Sequence, residues 1–380
     1  MKNKKKVLFL IDALSCGGAE KSLISLLPAL DYSKIEVDLM MIRRGGLFEE
    51  YVPHQVNVVN FPHQGGLLYQ ISLMGFRLLR RLLTKRHEAE LRWLMMSKVY
   101  KGVDKPYDVG IAYQQGFPTY YLTQKINARK KFSWVNADIE KAGYRVSFNR
   151  PFYEKLDMVI PVSDILGDML ASSNYVDSEK LLPVYDILNV DLIRQMSNSA
   201  VPLNFTSNEL IITTVGRMVQ PKGYDLAVGA AKLLREKGLI FKWIFVGGGS
   251  MKPEIKRLAT EYGLLDNIIF TGVKSNPYPY MALADIYVQT SRFEGFGLTI
   301  SEARILNKPV ISTNFPVVFN QIRDGENGLI CEMTPESIAN KILLLANDEQ
   351  LRNKLIEATH KEVNLTVLTE PKKVMNLILS

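Results

Sequence analysis

Two hydrophobic periods alternate along this chain. Short runs in which nearly every position is apolar occur at residues 7–11 (VLFLI), 35–41 (IEVDLMM), 209–216 (ELIITTVG), 241–246 (FKWIFV) and 285–290 (DIYVQT). Between them lie stretches whose apolar positions return every three or four residues, at 20–30, after 223 and at 298–306. Near-continuous apolar runs predict strands buried on both faces, and their alternation with helical stretches predicts a parallel sheet covered by helices. The chain is therefore expected to be α/β. At 380 residues it is long enough for two domains of roughly 100–200 residues each.

Chemistry gathers where the predicted strands run into helices, which is where open α/β sheets hold ligands. After residue 290 come Glu294, Gly295, Phe296 and Gly297, then a helix containing Glu302, so two carboxylates with seven residues between them straddle one turn. The helix start offers unpaired N–H groups to a phosphate, and the acids accept hydrogen bonds from hydroxyls. After residue 216 come Arg217 and Lys222, two cations at a helix start, a place cations dislike unless an anion is bound there. After residue 246 comes Gly247-Gly248-Gly249-Ser250, with no side chain to obstruct backbone approach to a ligand. Taken singly, each feature also reads as solvated loop residues. Together they fit a ligand rich in phosphate and hydroxyl groups, such as a nucleotide sugar.

The residues that carry these features resemble a known family. Val215-Gly216-Arg217, Lys222-Gly223, the 246–249 loop, Phe270-Thr271-Gly272-Val273, Ala284-Asp285, Glu294-Gly295-Phe296-Gly297, Glu302-Ala303 and Lys308-Pro309-Val310-Ile311 stand in the order and approximate spacing of the retaining glycosyltransferases of family 4, the glycosyl transferases group 1. The resemblance implies a GT-B fold, two Rossmann-like domains with parallel sheets facing across a cleft. It implies that Arg217 and Lys222 hold the donor diphosphate, Glu302 the ribose, Glu294 the donor sugar, and the backbone at Gly272 and Val273 the base. Gly248, Phe296, Gly297 and Leu298 would add backbone groups near the phosphate and sugar. The turn Gly17-Gly18-Ala19-Glu20 would face donor and acceptor. The stretch 183–191 resembles the passage into the family's second domain. The first domain is thus expected over 1–187, the second over 188–363, with the tail 364–380 packing back on the first.

Composition narrows the chemistry further. Two cysteines, Cys16 and Cys331, and four histidines, His54, His63, His87 and His360, show no metal-ligand or disulfide spacing, so no metal centre and no cofactor beyond the donor substrate is expected. Residues 1–11 imitate an export signal, but Asp12 ends the apolar run after five residues, short of the usual seven to fifteen or so. No run spans a membrane, and the expected location is cytoplasmic, peripheral on the inner face of the membrane. Residues 67–102 mix Leu, Met and aromatics with cations and read as one or two helices. From 72 to 101 there are eight Lys or Arg against Glu88 and Glu90, a net of +6, which suits an anionic membrane surface, with Trp93, Met95, Met96 and Tyr100 as interfacial residues. A solvated hairpin covering the first domain explains the same pattern. The net charge of +8 with no RNA- or DNA-binding motif argues against nucleic acid.

Two departures from the family pattern stand out. At 132–138 (FSWVNAD) a segment that resembles one usually carrying histidine has Asn136, with Asp138 two residues on, and asparagine takes no proton as imidazole does. At 314–322 (NFPVVFNQI) relatives have glycines and a glutamate. Resemblance implies front-face substitution with retention, a hexose moving from a nucleotide sugar, UDP being the commonest family choice. The basic, apolar surface at 67–102 points to an acceptor carried on a lipid, an undecaprenyl-diphosphate glycan of a capsule or O-antigen type. The alternatives are a non-catalytic GT-B subunit that binds a glycan or partner, a GT-B epimerase or phosphorylase, and a nicotinamide dehydrogenase. The last is disfavoured because GxGxxG is missing and Asp38 sits inside its strand.

Overall fold

The computed structural model describes residues 4–15, 17–62, 65–82 and 86–380, apart from the side chains at 81, 82 and 360–368. Cys16, His63 and Lys85, and the side chains of Arg81 and His360, therefore lie outside the described residues. The chain forms two compact units, Met1–Ile187 with Thr369–Ser380, and Leu188–Leu368.

In the first unit, β1 (Lys5–Ile11), β2 (Ile35–Met41), β3 (Val56–Asn60), β4 (Val103–Ala112), β5 (Ile126–Val135) and β6 (Met158–Pro161) form one parallel sheet in the order β3-β2-β1-β4-β5-β6. In the second, β7 (Leu210–Val215), β8 (Phe241–Val246), β9 (Ile268–Gly272), β10 (Ile286–Gln289), β11 (Val310–Thr313) and β12 (Leu329–Cys331) repeat the pattern as β12-β11-β10-β7-β8-β9. Both are the 3-2-1-4-5-6 order of the doubly wound fold, whose winding reverses between the first and fourth strands. Val7 to Ile11 are all fully buried, as parallel strands covered on both faces require. Each such Leu, Ile or Phe contributes about 1.5–3 kcal/mol of apolar burial.

The first helix starts earlier and ends sooner than its apolar spacing suggests. It runs Gly18–Leu26 and tightens into a 3-10 turn at Leu27–Ala29, because Pro28 has no N–H to continue the α-helical ladder. At the other end of the chain, Lys5 Nζ donates to the carbonyls of Ile378 and Leu379 at 3.1 and 2.8 Å, a cation against the last carbonyls of the helix Glu349–Leu379.

Residues 67–102 form two helices, Leu67–Leu82 and Glu88–Met96. The structure corrects the expectation that their aromatics face an interface. Trp93, Met96 and Tyr100 are buried, and Trp93 and Tyr100 pack against Phe117 with ring centroids 5.4 and 5.1 Å away. Arg92 is drawn inward as well, its guanidinium 4.7 Å over the Phe117 ring and its Nε donating to the Tyr100 hydroxyl at 2.8 Å. The physical reason is that Glu88–Met96 is the inner helix of the pair, so its apolar stripe is consumed by the core.

Candidate functional site

The expected site residues of the second unit gather at its switch point, where β7 and β10 lie side by side and their following loops diverge. The loop after β7 supplies Arg217 and Lys222, and the loop after β10 supplies Glu294. Backbone contact knits these loops together. The Thr290 hydroxyl donates to the Lys222 carbonyl at 3.0 Å, Arg292 N–H donates to the Pro221 carbonyl at 2.7 Å, and the Arg292 guanidinium grips the Asp225 carboxylate through both nitrogens at 2.8 and 2.5 Å. Asp225 itself sits in the first turn of the helix Tyr224–Glu236, where an acid is favoured by the helix dipole. Gly223 makes this closeness possible: its φ is +62°, and a Cβ there would lie 2.0 Å from the Thr290 carbonyl oxygen.

Lys222 and Glu294, expected to hold different parts of a ligand, are bonded to each other. Lys222 Nζ lies 2.5 Å from both oxygens of Glu294. Glu294 Oε1 also accepts from Gln289 Nε2 at 2.8 Å and from the Ser291 hydroxyl at 2.6 Å. Behind this, Gln289 Oε1 accepts from the hydroxyls of Tyr287 at 2.7 Å and Thr299 at 2.9 Å. The carboxylate is 9% exposed and Lys222 22%, so the pair is partly desolvated and its attraction exceeds that of a surface pair. Oε1 is crowded with donors. Oε2 receives only the lysine among the described residues, which leaves it capacity to accept a further hydrogen bond. Arg217 is exposed, and no described residue pairs with its guanidinium.

Glu302 lies in the helix Leu298–Ile305, fully buried, with Oε1 accepting from the Tyr278 hydroxyl at 3.0 Å. Gly297 caps that helix without any side-chain oxygen to occupy the first N–H groups, and Leu298 and Thr299 follow it. Phe296 is buried, and its carbonyl is held by Gln321 Nε2, whose own Oε1 accepts from the Ser301 hydroxyl. Gln321 thus fixes the turn before the helix from the 314–322 segment that departs from the family pattern.

The glycine run after β8 also serves the packing of neighbouring loops. A Cβ on Gly247 would lie 1.9 Å from the Gly216 carbonyl oxygen, so the glycine lets this loop press onto the loop after β7. Gly248 takes part in the same contact, its carbonyl accepting from Met218 N–H at 2.8 Å. At the end of β9, the Gly272 carbonyl accepts from Gly247 N–H at 2.9 Å, and Val273 beyond it is exposed.

In the first unit, Asn136 follows β5. Its N–H donates to Gln115 Oε1 at 3.0 Å, whereas both polar atoms of its side-chain amide are buried without a hydrogen-bond partner among the described residues. Asp138 is buried and serves its own turn: Oδ1 accepts from Lys141 N–H at 3.0 Å and Oδ2 lies 3.7 Å from Lys141 Nζ. Gly17 caps the helix Gly18–Leu26. Near the end of the unit, Asp186 is buried, and burial pushes its carboxyl up to about 7 against the opposing hydrogen bond of Ser22. The Ser22 hydroxyl also lies 3.0 Å from the Tyr113 hydroxyl and accepts from Ile187 N–H at 3.2 Å.

Gln289, Ser291, Tyr278, Arg292, Asp225 and Gln321 were not singled out in the sequence. The one available signal was Gln289, an amide inside an otherwise apolar strand. Among the described residues no group of three or more His, Cys, Asp or Glu is placed to hold a metal ion.

Comparison with known proteins agrees with this geometry. Residues 197–362 match the family model of glycosyl transferases group 1. The chain is similar to a lipopolysaccharide core biosynthesis glycosyltransferase, LpsE, of Rhizobium meliloti, with 30% identity over 152 residues, 40% of this chain and 44% of that protein. It is also similar to the N-acetylgalactosamine-N,N'-diacetylbacillosaminyl-diphospho-undecaprenol 4-alpha-N-acetylgalactosaminyltransferase of Campylobacter jejuni, with 26% identity over 202 residues, 53% of each chain. The chain thus spans about half the length of the curated relatives it matches. Among solved structures, Anabaena Alr3699/HepE in complex with UDP and glucose superposes with a TM-score of 0.73 at 18% identity, covering 99% of both chains. The chain has the GT-B fold, and its residues 197–362 are similar to the glycosyl transferases group 1.

Proposed function

We propose that the protein transfers a hexose, with retention, from a nucleotide sugar, UDP-linked, to a hydroxyl of a lipid-linked glycan in the assembly of a bacterial surface polysaccharide such as capsule or O-antigen. The observation that carries this reading is the β7–β10 switch point, where Arg217, Lys222, Glu294 and the N-terminus of the helix Leu298–Ile305 come from three adjoining segments. A diphosphate would draw Lys222 from Glu294 and pair with it, with Arg217 and with the helix N–H groups. The freed carboxylate would then accept from the sugar. Glu302 would take the ribose hydroxyls once the Tyr278 hydroxyl yields its place.

In the proposed reaction, the bond from the anomeric carbon to the diphosphate oxygen breaks while the acceptor oxygen bonds to that carbon on the same face. The acceptor's proton passes to the departing phosphate oxygen. The protein's part is electrostatic: fixed cations and N–H groups stabilise the leaving diphosphate. Because Arg217 and Lys222 supply that charge, turnover is proposed to be independent of added metal. The diphospho-undecaprenol acceptor named for the Campylobacter relative, and the lipopolysaccharide core biosynthesis named for the Rhizobium one, support a lipid-linked acceptor.

A thermal-shift panel of nucleotide sugars tests the reading. One UDP-sugar should raise the melting temperature and the rise should vanish in Arg217→Ala, with UDP released on adding acceptor. A protein that no nucleotide sugar stabilises would refute it. A second reading, a GT-B subunit that binds a glycan without transferring sugar, is favoured by the unpartnered Asn136 amide and the self-occupied Asp138. Donor binding without UDP release in the same panel would select it.

A further inference from the structure

The helix Leu67–Leu82 is apolar on two faces, and only one of them is used. Its inner face, with the buried Phe76 and the half-buried Tyr69, Leu73 and Leu79, packs toward the helix Glu88–Met96, Gly75 closely approaching Met95. Its outer face carries Leu67, Ile71, Met74 and Leu78 at spacings of four, three and four residues, which align as one stripe. These side chains are 77, 56, 69 and 62% exposed. A helix apolar all round is ordinarily buried, so an outward stripe roughly 17 Å long marks an interaction surface.

Charge selects the occupant. The sequence from 67 to 87 holds five cations, Arg77, Arg80, Arg81, Lys85 and Arg86, and no carboxylate. Arg77 is exposed on the flank of the stripe, while Arg80 reaches Glu88 at 3.0 Å. A second copy of the chain is disfavoured, because a two-fold contact through this face would set Arg77 against its own kind, and the stretch 67–87 holds no carboxylate to pair with it. An anionic bilayer satisfies both features, taking the apolar stripe into the acyl boundary and the guanidinium groups at headgroup phosphates.

We propose that the outer face of the helix Leu67–Leu82 docks on an anionic lipid bilayer, with Leu67, Ile71, Met74 and Leu78 inserted and Arg77 at the phosphates. This narrows the basic stretch 67–102 to one helix face. It stands independently of the transfer chemistry, since bilayer binding needs no donor.

The test is sedimentation with vesicles of phosphatidylcholine alone or in equimolar mixture with phosphatidylglycerol. The wild type should pellet with the mixed vesicles and lose most binding to phosphatidylcholine alone. The combined Leu67→Ser, Ile71→Ser, Met74→Ser and Leu78→Ser variant should lose more than about tenfold in partitioning while keeping its melting temperature. Ile71→Trp gives a second readout. The native Trp93, Trp134 and Trp243 are buried, so a blue shift on adding mixed vesicles reports insertion of this face. Unchanged sedimentation of the serine variant, no shift from Ile71→Trp, or a wild-type dimer that the serine variant dissolves would each overturn the proposal.

Discussion

The two units wind their strands in the same order yet equip the ends of those strands differently. In the second, charges meet across the β7 and β10 loops: Lys222 holds Glu294, Gln289 and Ser291 steady the same carboxylate, and Arg292 clasps Asp225. In the first, the ends of β1 and β4 carry Asp12, paired with the exposed Arg43, and the buried Tyr113, which stacks 4.8 Å from Trp134, while Asn136 lies one strand further on, after β5. A fold thus fixes where a ligand can lie, and the side chains decide how firmly the place is prepared. The second unit is preorganised around charge. The first keeps an amide whose polar atoms have no partner among the described residues, which suits a ligand supplying its own hydrogen bonds.

Breaking the charged switch point should have the largest effect. Lys222→Ala removes a cation proposed for the diphosphate and strands the largely buried Glu294, so transfer is expected to fall about 10²–10³-fold with weaker UDP binding, read by UDP release and calorimetry. Full activity in that variant would dissolve the contrast between the units. A smaller, more selective loss is expected on the other side. Asn136→Ala should lower transfer roughly tenfold and leave UDP affinity unchanged, and equal losses in both would mean that the amide serves the donor. The smallest effect concerns stability. Because burial raises the Asp186 carboxyl to about 7, the folded state favours its protonated form, and the stability this gives is complete below the ordinary carboxylate range near 4 and lost as pH rises through about 7. Asp186→Asn should therefore melt higher than wild type at pH 8, by about 1–3 kcal/mol, with the gain vanishing at pH 4. A gain of equal size at both would remove ionisation as its cause.

The strands and the charged residues at their ends were legible because both follow local rules: apolar runs buried on two faces, and glycines, cations and acids at strand-to-helix turns. The pairings were not, since they depend on register. Lys222 and Glu294 stand 72 residues apart in sequence, and only the adjacency of β7 and β10 makes them partners. Gln289 was hidden in a strand whose pattern predicts burial without saying what a buried amide would bind. The glycine run at 247–249 reads in sequence as room for a ligand, but only the structure shows that Gly247 and Gly223 also let their loops press onto neighbouring backbone. Trp93, Met96 and Tyr100 misled because amphipathic character was judged over the whole stretch 67–102, while two helices share it at different depths.

That division of labour between the paired helices has an evolutionary consequence. The inner helix is locked by rings from several elements, so its sequence is costly to alter. The outer one touches the rest of the unit along a single side, so packing leaves its far side unconstrained and only the proposed docking would hold its sequence. A handful of exchanges at 67, 71, 74 and 78 could therefore make that face greasier or more polar, retuning the proposed bilayer docking without disturbing the core of the unit.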